Sequence, residues 1–207
     1  MRRVALIGGA FNPPHAGHRK MAELALTQLA VDQVRFMPTA TSPHKAAPET
    51  PDALDGTRRV KLLRELLRTL PATCTVDTME VERGGTSYTA DTLEALQARE
   101  PGTAWILVIG ADQAKDLHRW RRAERILALA SVAVVPRPGF PLELPEVLRP
   151  LVRKEWTGHP GEILILPSSD LPWMSSQVRE LLREGIAPEG LPSEVMTIIT
   201  AENLYRK

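Results

Sequence analysis

The chain has 207 residues, 43% of them hydrophobic, which suits one α/β domain with its own core. Its 26 basic and 25 acidic side chains leave a net charge of +1, which excludes the strong basic excess of a dedicated nucleic-acid binder but not a small phosphate pocket. One cysteine, Cys74, excludes an intrachain disulfide, no apolar run approaches bilayer length, and no signal-peptide pattern follows Met1, so a cytoplasmic location is expected.

Val4–Ile7 is a strand-length apolar run that ends at Gly8-Gly9. From about His18, the positions Met21, Leu24, Ala25 and Leu29 follow helical spacing, so the chain opens strand, glycine turn, helix. A second strand is expected at Gln33–Met37, and Pro38–Gly56 reads as a long functional or mobile loop. An amphipathic helix capped by Thr57 runs to about Leu70, and Thr73–Glu82 is expected as a strand although its alternation is partial. Gly84-Gly85 mark a turn and Ser87 opens a helix through Leu93 and Leu96. Trp105–Ile109 is a continuous apolar run before Gly110, the pattern of a strand buried on both faces. Helical segments follow around Asp112–Leu117 and Arg121–Ala130, then a short buried strand at Val132–Val135. Pro136–Gly161 is proline-rich and poorly periodic, an excursion from the domain. Ile163–Leu166 is expected as the last strand, and Ser175–Arg183 and Ser193–Glu202 as the closing helices. This alternation predicts a doubly wound, mainly parallel sheet with helices on both faces. The whole of 1–207 reads as one domain, with a helical part from about residue 170 packed on it.

The first strand delivers the chain to Gly8-Gly9-Ala10-Phe11-Asn12-Pro13-Pro14-His15-Ala16-Gly17-His18. Glycines let backbone approach a ligand, and the helix that follows is expected to offer unpaired N–H groups to an anion. The spacing fits neither the dinucleotide fingerprint nor a P-loop. Instead two histidines, three apart, stand at the mouth of the helix, where imidazoles can donate to phosphate oxygens as charge shifts. Two surface histidines at a loop, or two ligands of an incomplete zinc centre, are the alternatives. Their place at the carboxyl end of the first strand of a parallel sheet favours the ligand-binding reading.

The segment ending His15-Ala16-Gly17-His18 resembles the nucleotidyltransferase superfamily motif His-x-Gly-His. Ser42-Pro43-His44-Lys45, Ser87–Leu93, Ile109-Gly110-Ala111-Asp112, Trp120, Arg137-Pro138-Gly139 and Ser175-Ser176-Gln177-Val178-Arg179 extend the likeness. They fall in the order seen in bacterial nicotinate-nucleotide adenylyltransferases. The resemblance implies a Rossmann-like nucleotidyltransferase fold and adenylyl transfer from ATP to nicotinate mononucleotide, with pyrophosphate released. It further implies Mg2+ held mainly by ATP phosphates, no nucleic-acid or membrane partner, and leaves homo-oligomer formation open. Nicotinamide mononucleotide or another phosphorylated acceptor is the close alternative, and a non-catalytic nucleotide-binding module the alternative of another class.

By that resemblance His15, His18 and Arg179 are the catalytic set, with His18 stabilising the transition state. Gly8, Gly9, Ala10, Phe11, Gly110, Asp112, Ser175 and Ser176 would join them around ATP, and Lys45, Thr89, Asp116, Trp120 and Arg137 would bind the acceptor. Several have a plainer alternative: Ser175 also reads as an N-cap, Asp112 as a helix cap, Lys45 as a solvated lysine, Trp120 as a core residue and Arg137 as a loop arginine. Trp120 would stack on the pyridine ring, and Thr89 with backbone amides near Asp116 would take the carboxylate. Three residues depart from the family pattern: Ala10 for a hydroxyl residue, Asn12 for aspartate and Met174 for serine.

Overall fold

A computed structural model describes residues 1–43, 54–139 and 141–205. Its strands are β1 (Arg3–Gly9), β2 (Gln33–Pro38), β3 (Cys74–Val76), β4 (Ala104–Gly110), β5 (Ala130–Val135), β6 (Val152–Arg153) and β7 (Ile163–Ile165). Its α-helices are α1 (Ala16–Gln28), α2 (Gly56–Leu67), α3 (Met79–Arg83), α4 (Thr89–Arg99), α5 (Ala111–Ala114), α6 (Ala123–Leu129), α7 (Ser175–Arg183) and α8 (Ser193–Ala201). The seven strands form a parallel sheet in the order β3-β2-β1-β4-β5-β7-β6. The order reverses between β1 and β4, which opens a crevice at their carboxyl ends, where such sheets bind ligands.

Side chains alternate across the sheet and sort the core into two halves. Ala5 and Ile7 of β1 with Ile106 and Val108 of β4 pack beneath α1, α2, α7 and α8. Val4 and Leu6 with Trp105, Leu107 and Ile109 pack beneath α4 and α6. Both faces are covered, and this is why the strands read as continuous apolar runs. The last helices share the first core half: Val195 and Ile199 of α8 are buried in it, and Glu202 pairs with Lys61 of α2. Among the described residues no helix is long and apolar enough to cross a membrane.

The expected doubly wound sheet is present; several boundaries differ. The expected strand at Thr73–Glu82 ends at Val76, and the chain turns into α3. Asp77 Oδ1 accepts the Met79 N–H at 3.1 Å, and Glu80 buries its carboxyl where it accepts the Thr92 hydroxyl proton. α2 is capped by Asp55, which accepts the Arg58 N–H at 2.8 Å, and so begins at Gly56 ahead of Thr57. Ser87 does not open α4: its Oγ accepts the Ala40 N–H at 3.0 Å, and the helix begins at Thr89. The Asp112–Leu117 segment divides into α5 and a 3-10 turn at Leu117–Arg119. Within the Pro136–Gly161 excursion, a 3-10 turn at Glu146–Leu151 leads into β6, which pairs with β7 and makes the sheet edge.

Candidate active site

β1 ends at the glycine loop, and α1 starts two residues before the expected His18, with His15 as its N-cap in extended backbone. The two imidazoles form a reciprocal cap. His15 Nδ1 accepts the Gly17 N–H at 3.2 Å, and His18 Nδ1 accepts the His15 N–H at 3.1 Å. Backbone N–H groups only donate, so each Nδ1 holds a lone pair and each neutral ring carries its proton on Nε2. The rings lie 3.9 Å apart between centroids, and Phe11 braces His18 edge-on at 4.9 Å. Burial and then the Arg137 guanidinium push His15 down to about 3. Burial, then His15 and Arg137, hold His18 well below the usual imidazole range. Both are neutral Nε2–H donors at physiological pH. A Cβ at Gly17 would stand 3.0 Å from the His15 ring, so glycine gives that imidazole room to fold onto the helix end.

α1 does not offer open amides to an anion, contrary to the expectation from sequence. Its Ala16 N–H donates to Gly190 O at 2.9 Å, Gly17 N–H to His15, and His18 N–H to His15 O at 2.9 Å. α7 stands differently. Its N-cap is Met174, not Ser175, and a thioether is a weak acceptor. Ser175 is the first helical residue and its hydroxyl donates to Pro13 O at 3.0 Å, tying α7 to the first loop.

A cavity of about 350 Å3 is lined by Gly8, Gly9, Ala10, Phe11, His15, His18, Gly110, Asp112, Ser175, Ser176 and Arg179, which are the residues expected around ATP. Arg137, expected on the acceptor side, lines this cavity too, with its guanidinium 3.0 Å from Asp112 Oδ2. Asp112 caps no helix: the N-cap of α5 is Gly110, and Asp112 folds back over it where a Cβ would stand. Arg179 is buried and donates to Asn12 O at 2.6 Å, and the Tyr205 hydroxyl donates to Asn12 Oδ1 at 2.6 Å.

A second cavity of about 460 Å3 is lined by Thr89, Asp116 and Trp120 with Thr39, Ser42, Glu80 and Ser87. Gly8, Gly9, Ala10, Asp112 and Gln113 line both cavities, so the two meet across the glycine loop. Trp120 packs partly on the core of the α4 face and partly on this cavity. The N-cap of α4 is Tyr88, which makes no side-chain cap bond, so the start of that helix at Thr89 opens on the cavity. The Asp116 N–H is taken by Gln113 O at 3.2 Å, which leaves the start of α4 as the stronger place for an anion. Burial raises Glu80 above the usual carboxylate range, opposed by hydroxyl hydrogen bonds from Thr92 and Ser87. Lys45 lies outside the described residues. The sequence reading did not single out Glu80, Arg59 or Tyr205.

A parallel sheet with paired imidazoles and two arginines, Arg137 and Arg179, at its crevice defines a phosphate-handling α/β protein. The Cytidylyltransferase-like family model matches residues 6–181, and the chain belongs to that family. Within it, the chain is a member of the nicotinate-nucleotide adenylyltransferases. A probable nicotinate-nucleotide adenylyltransferase of Lactiplantibacillus plantarum is 39% identical, aligned over 100% of this chain and 89% of its own length. A nicotinate-nucleotide adenylyltransferase of Bacillus subtilis is 37% identical over 70% of this chain and 75% of its own. Among solved structures, a Plasmodium falciparum nicotinic acid mononucleotide adenylyltransferase complexed with APC superposes with a TM-score of 0.78 at 13% identity, covering 99% of this chain and 98% of that one. At that identity the likeness is one of fold.

Proposed function

We propose that this protein transfers the adenylyl group of ATP to nicotinate mononucleotide, forming nicotinate adenine dinucleotide and pyrophosphate. The carrying observation is the pair of cavities that share the glycine loop, one lined by imidazoles and arginines, the other by Trp120 and the start of α4. ATP lies in the first and the acceptor in the second, with the acceptor phosphate reaching the α-phosphorus beside Gly8–Ala10. The attacking oxygen belongs to the acceptor, so the protein supplies no nucleophile; it aligns the two substrates and holds the charge that spreads in the transition state.

The Nε2–H edges of His15 and His18 donate to the triphosphate, His18 most strongly as charge builds. Arg179, Arg137 and the start of α7 draw the departing pyrophosphate. Arg137 leaves the acceptor role expected of it, because it stands with the histidines. Trp120 stacks on the pyridinium ring, an attraction that grows with the ring's positive charge. Thr89 and the first turn of α4 take the carboxylate, an anion that a helix N-terminus prefers to an amide. Mg2+ enters on the phosphates of ATP, since that ion keeps several waters and favours phosphate oxygens. The same reading makes the chain one domain acting in the cytoplasm, where ATP is at hand.

The test is incubation of the purified protein with ATP, Mg2+ and either nicotinate or nicotinamide mononucleotide, following pyrophosphate and dinucleotide. Preference for the acid is expected. Preference for the amide overturns the role of α4, and absence of product with either overturns the function.

A further inference from the structure

Arg59 touches neither cavity, yet it joins the loops that form both. Its side chain is buried in the first turns of α2, with the residue 5% exposed. Nη1 donates to Ala10 O at 2.7 Å, Nη2 to Thr39 O at 2.7 Å and Ala40 O at 3.2 Å, and Nε to Leu54 O at 3.0 Å. Ala10 belongs to the glycine loop that lines both cavities, and Thr39 lines the acceptor cavity. The guanidinium thus spans from the end of β1 to the end of β2 from beneath.

Each bond also fixes a peptide plane. Pulling the Ala10 carbonyl toward Arg59 turns the Phe11 N–H to the opposite side of the loop, and Phe11 lines the first cavity. Pulling the Thr39 carbonyl down turns the Ala40 N–H away from Arg59, where Ser87 Oγ on the acceptor side accepts it at 3.0 Å. A lysine keeps the charge but has one compact ammonium, without the planar fork whose donors point at both loops at once.

We propose that Arg59 is a positioning residue that sets the register between the ATP loop and the acceptor loop, so that two correctly bound substrates meet in line. This rests on the adenylyl-transfer reading above. Each substrate alone needs only its own cavity; reaction needs the spacing between the two. A shift of about 1 Å between reacting atoms costs on the order of 100-fold in rate.

The experiment compares wild type and Arg59→Lys in kcat, in the Kd of ATP and of nicotinate mononucleotide measured singly, and in melting temperature. Expected for Arg59→Lys is a kcat about 100-fold lower, with each Kd moved by less than about threefold and melting lowered by several degrees as buried carbonyls lose a donor. A kcat within about twofold of wild type overturns the inference. So does a parallel fall of kcat and both affinities, the mark of a merely structural arginine. Arg59→Ala with added methylguanidinium is the second measurement: return of kcat is expected, with melting raised toward wild type as the guanidinium occupies the folded site, and no return overturns the positioning role. An inactive wild type overturns the function and this inference together, whereas an active wild type with an indifferent Arg59→Lys overturns only the inference.

Discussion

The His15 backbone N–H donates to Nδ1 of His18 at 3.1 Å, and that bond decides which imidazole nitrogen keeps its proton in the cavity that His18 lines. It separates two roles of one side chain. Asparagine reproduces the Nδ1 acceptor but not the Nε2–H reach. His18→Asn is therefore expected to keep the helix cap and lose about 100- to 1,000-fold in kcat. His18→Ala loses the same activity and about 1 kcal/mol of stability besides. Steady-state kinetics beside urea unfolding reads both; equal stability of the two variants would discard the capping role.

The buried, neutral histidines make stability depend on pH. In the unfolded chain an imidazole titrates near 6.5, whereas folded His15 stays neutral down to about 3. Between those values the unfolded state binds the proton and the folded state does not, so stability is full above 6.5 and falls as pH drops. The slope is about 1.4 kcal/mol per pH unit for each histidine held neutral. Urea unfolding from pH 7.5 to 4.5 is expected to show this decline, reduced in a His15→Asn, His18→Asn double variant. An identical profile in that variant would place the decline in other groups.

Gly17→Ala tests the packing of the imidazole against the helix end. The added methyl stands 3.0 Å from the His15 ring, which must give by a few tenths of an ångström beside the Gly17 N–H that it accepts. Alanine also suits a helix better than glycine, by roughly 0.5–1 kcal/mol. The expected outcome is unchanged or raised stability together with a kcat about 10- to 100-fold lower. Thermal melting and kinetics on the same preparation check it; undiminished turnover would show that His15 need not sit where it does.

The parts of this architecture legible from the sequence are those whose cause is local. Val4–Ile7 and Trp105–Ile109 are apolar without interruption because both sheet faces are covered, and the glycines that follow mark where the chain reaches the crevice. Paired histidines at the first helix mark a candidate ligand site by spacing and position, and the structure brings both rings to the crevice. The helix end itself is not legible there, because the acceptor of the Ala16 N–H is Gly190 O, far along the chain. Arg59 sits in an amphipathic helix beside Arg58 and Lys61, and nothing in that pattern separates a buried clamp from two solvated cations. Glu80 fell in a stretch read as strand, where partial alternation hid a helix turn that buries a carboxyl.

Tyr205→Phe removes the hydroxyl that donates to Asn12 Oδ1 and leaves a buried acceptor without its partner. A cost of about 1–3 kcal/mol is expected, with kcat reduced because Asn12 O also receives Arg179. Aspartate at position 12 would also offer an Oδ1 acceptor, so Asn12→Asp is expected to retain the bond to Tyr205. Urea unfolding and kinetics on both variants decide; a Tyr205→Phe protein as stable as wild type would reduce the contact to incidental packing.

The bond between Asn12 and Tyr205 joins residues 193 positions apart. At about 5–20 residues per second of translation, roughly 10–40 s separate the emergence of the two partners. Throughout that interval the glycine loop and its histidines exist without their latch, while the strands beneath them can already pair. The first functional loop to leave the ribosome is thus the last to be finished, and a growing chain holds no completed phosphate pocket until its sheet is already made.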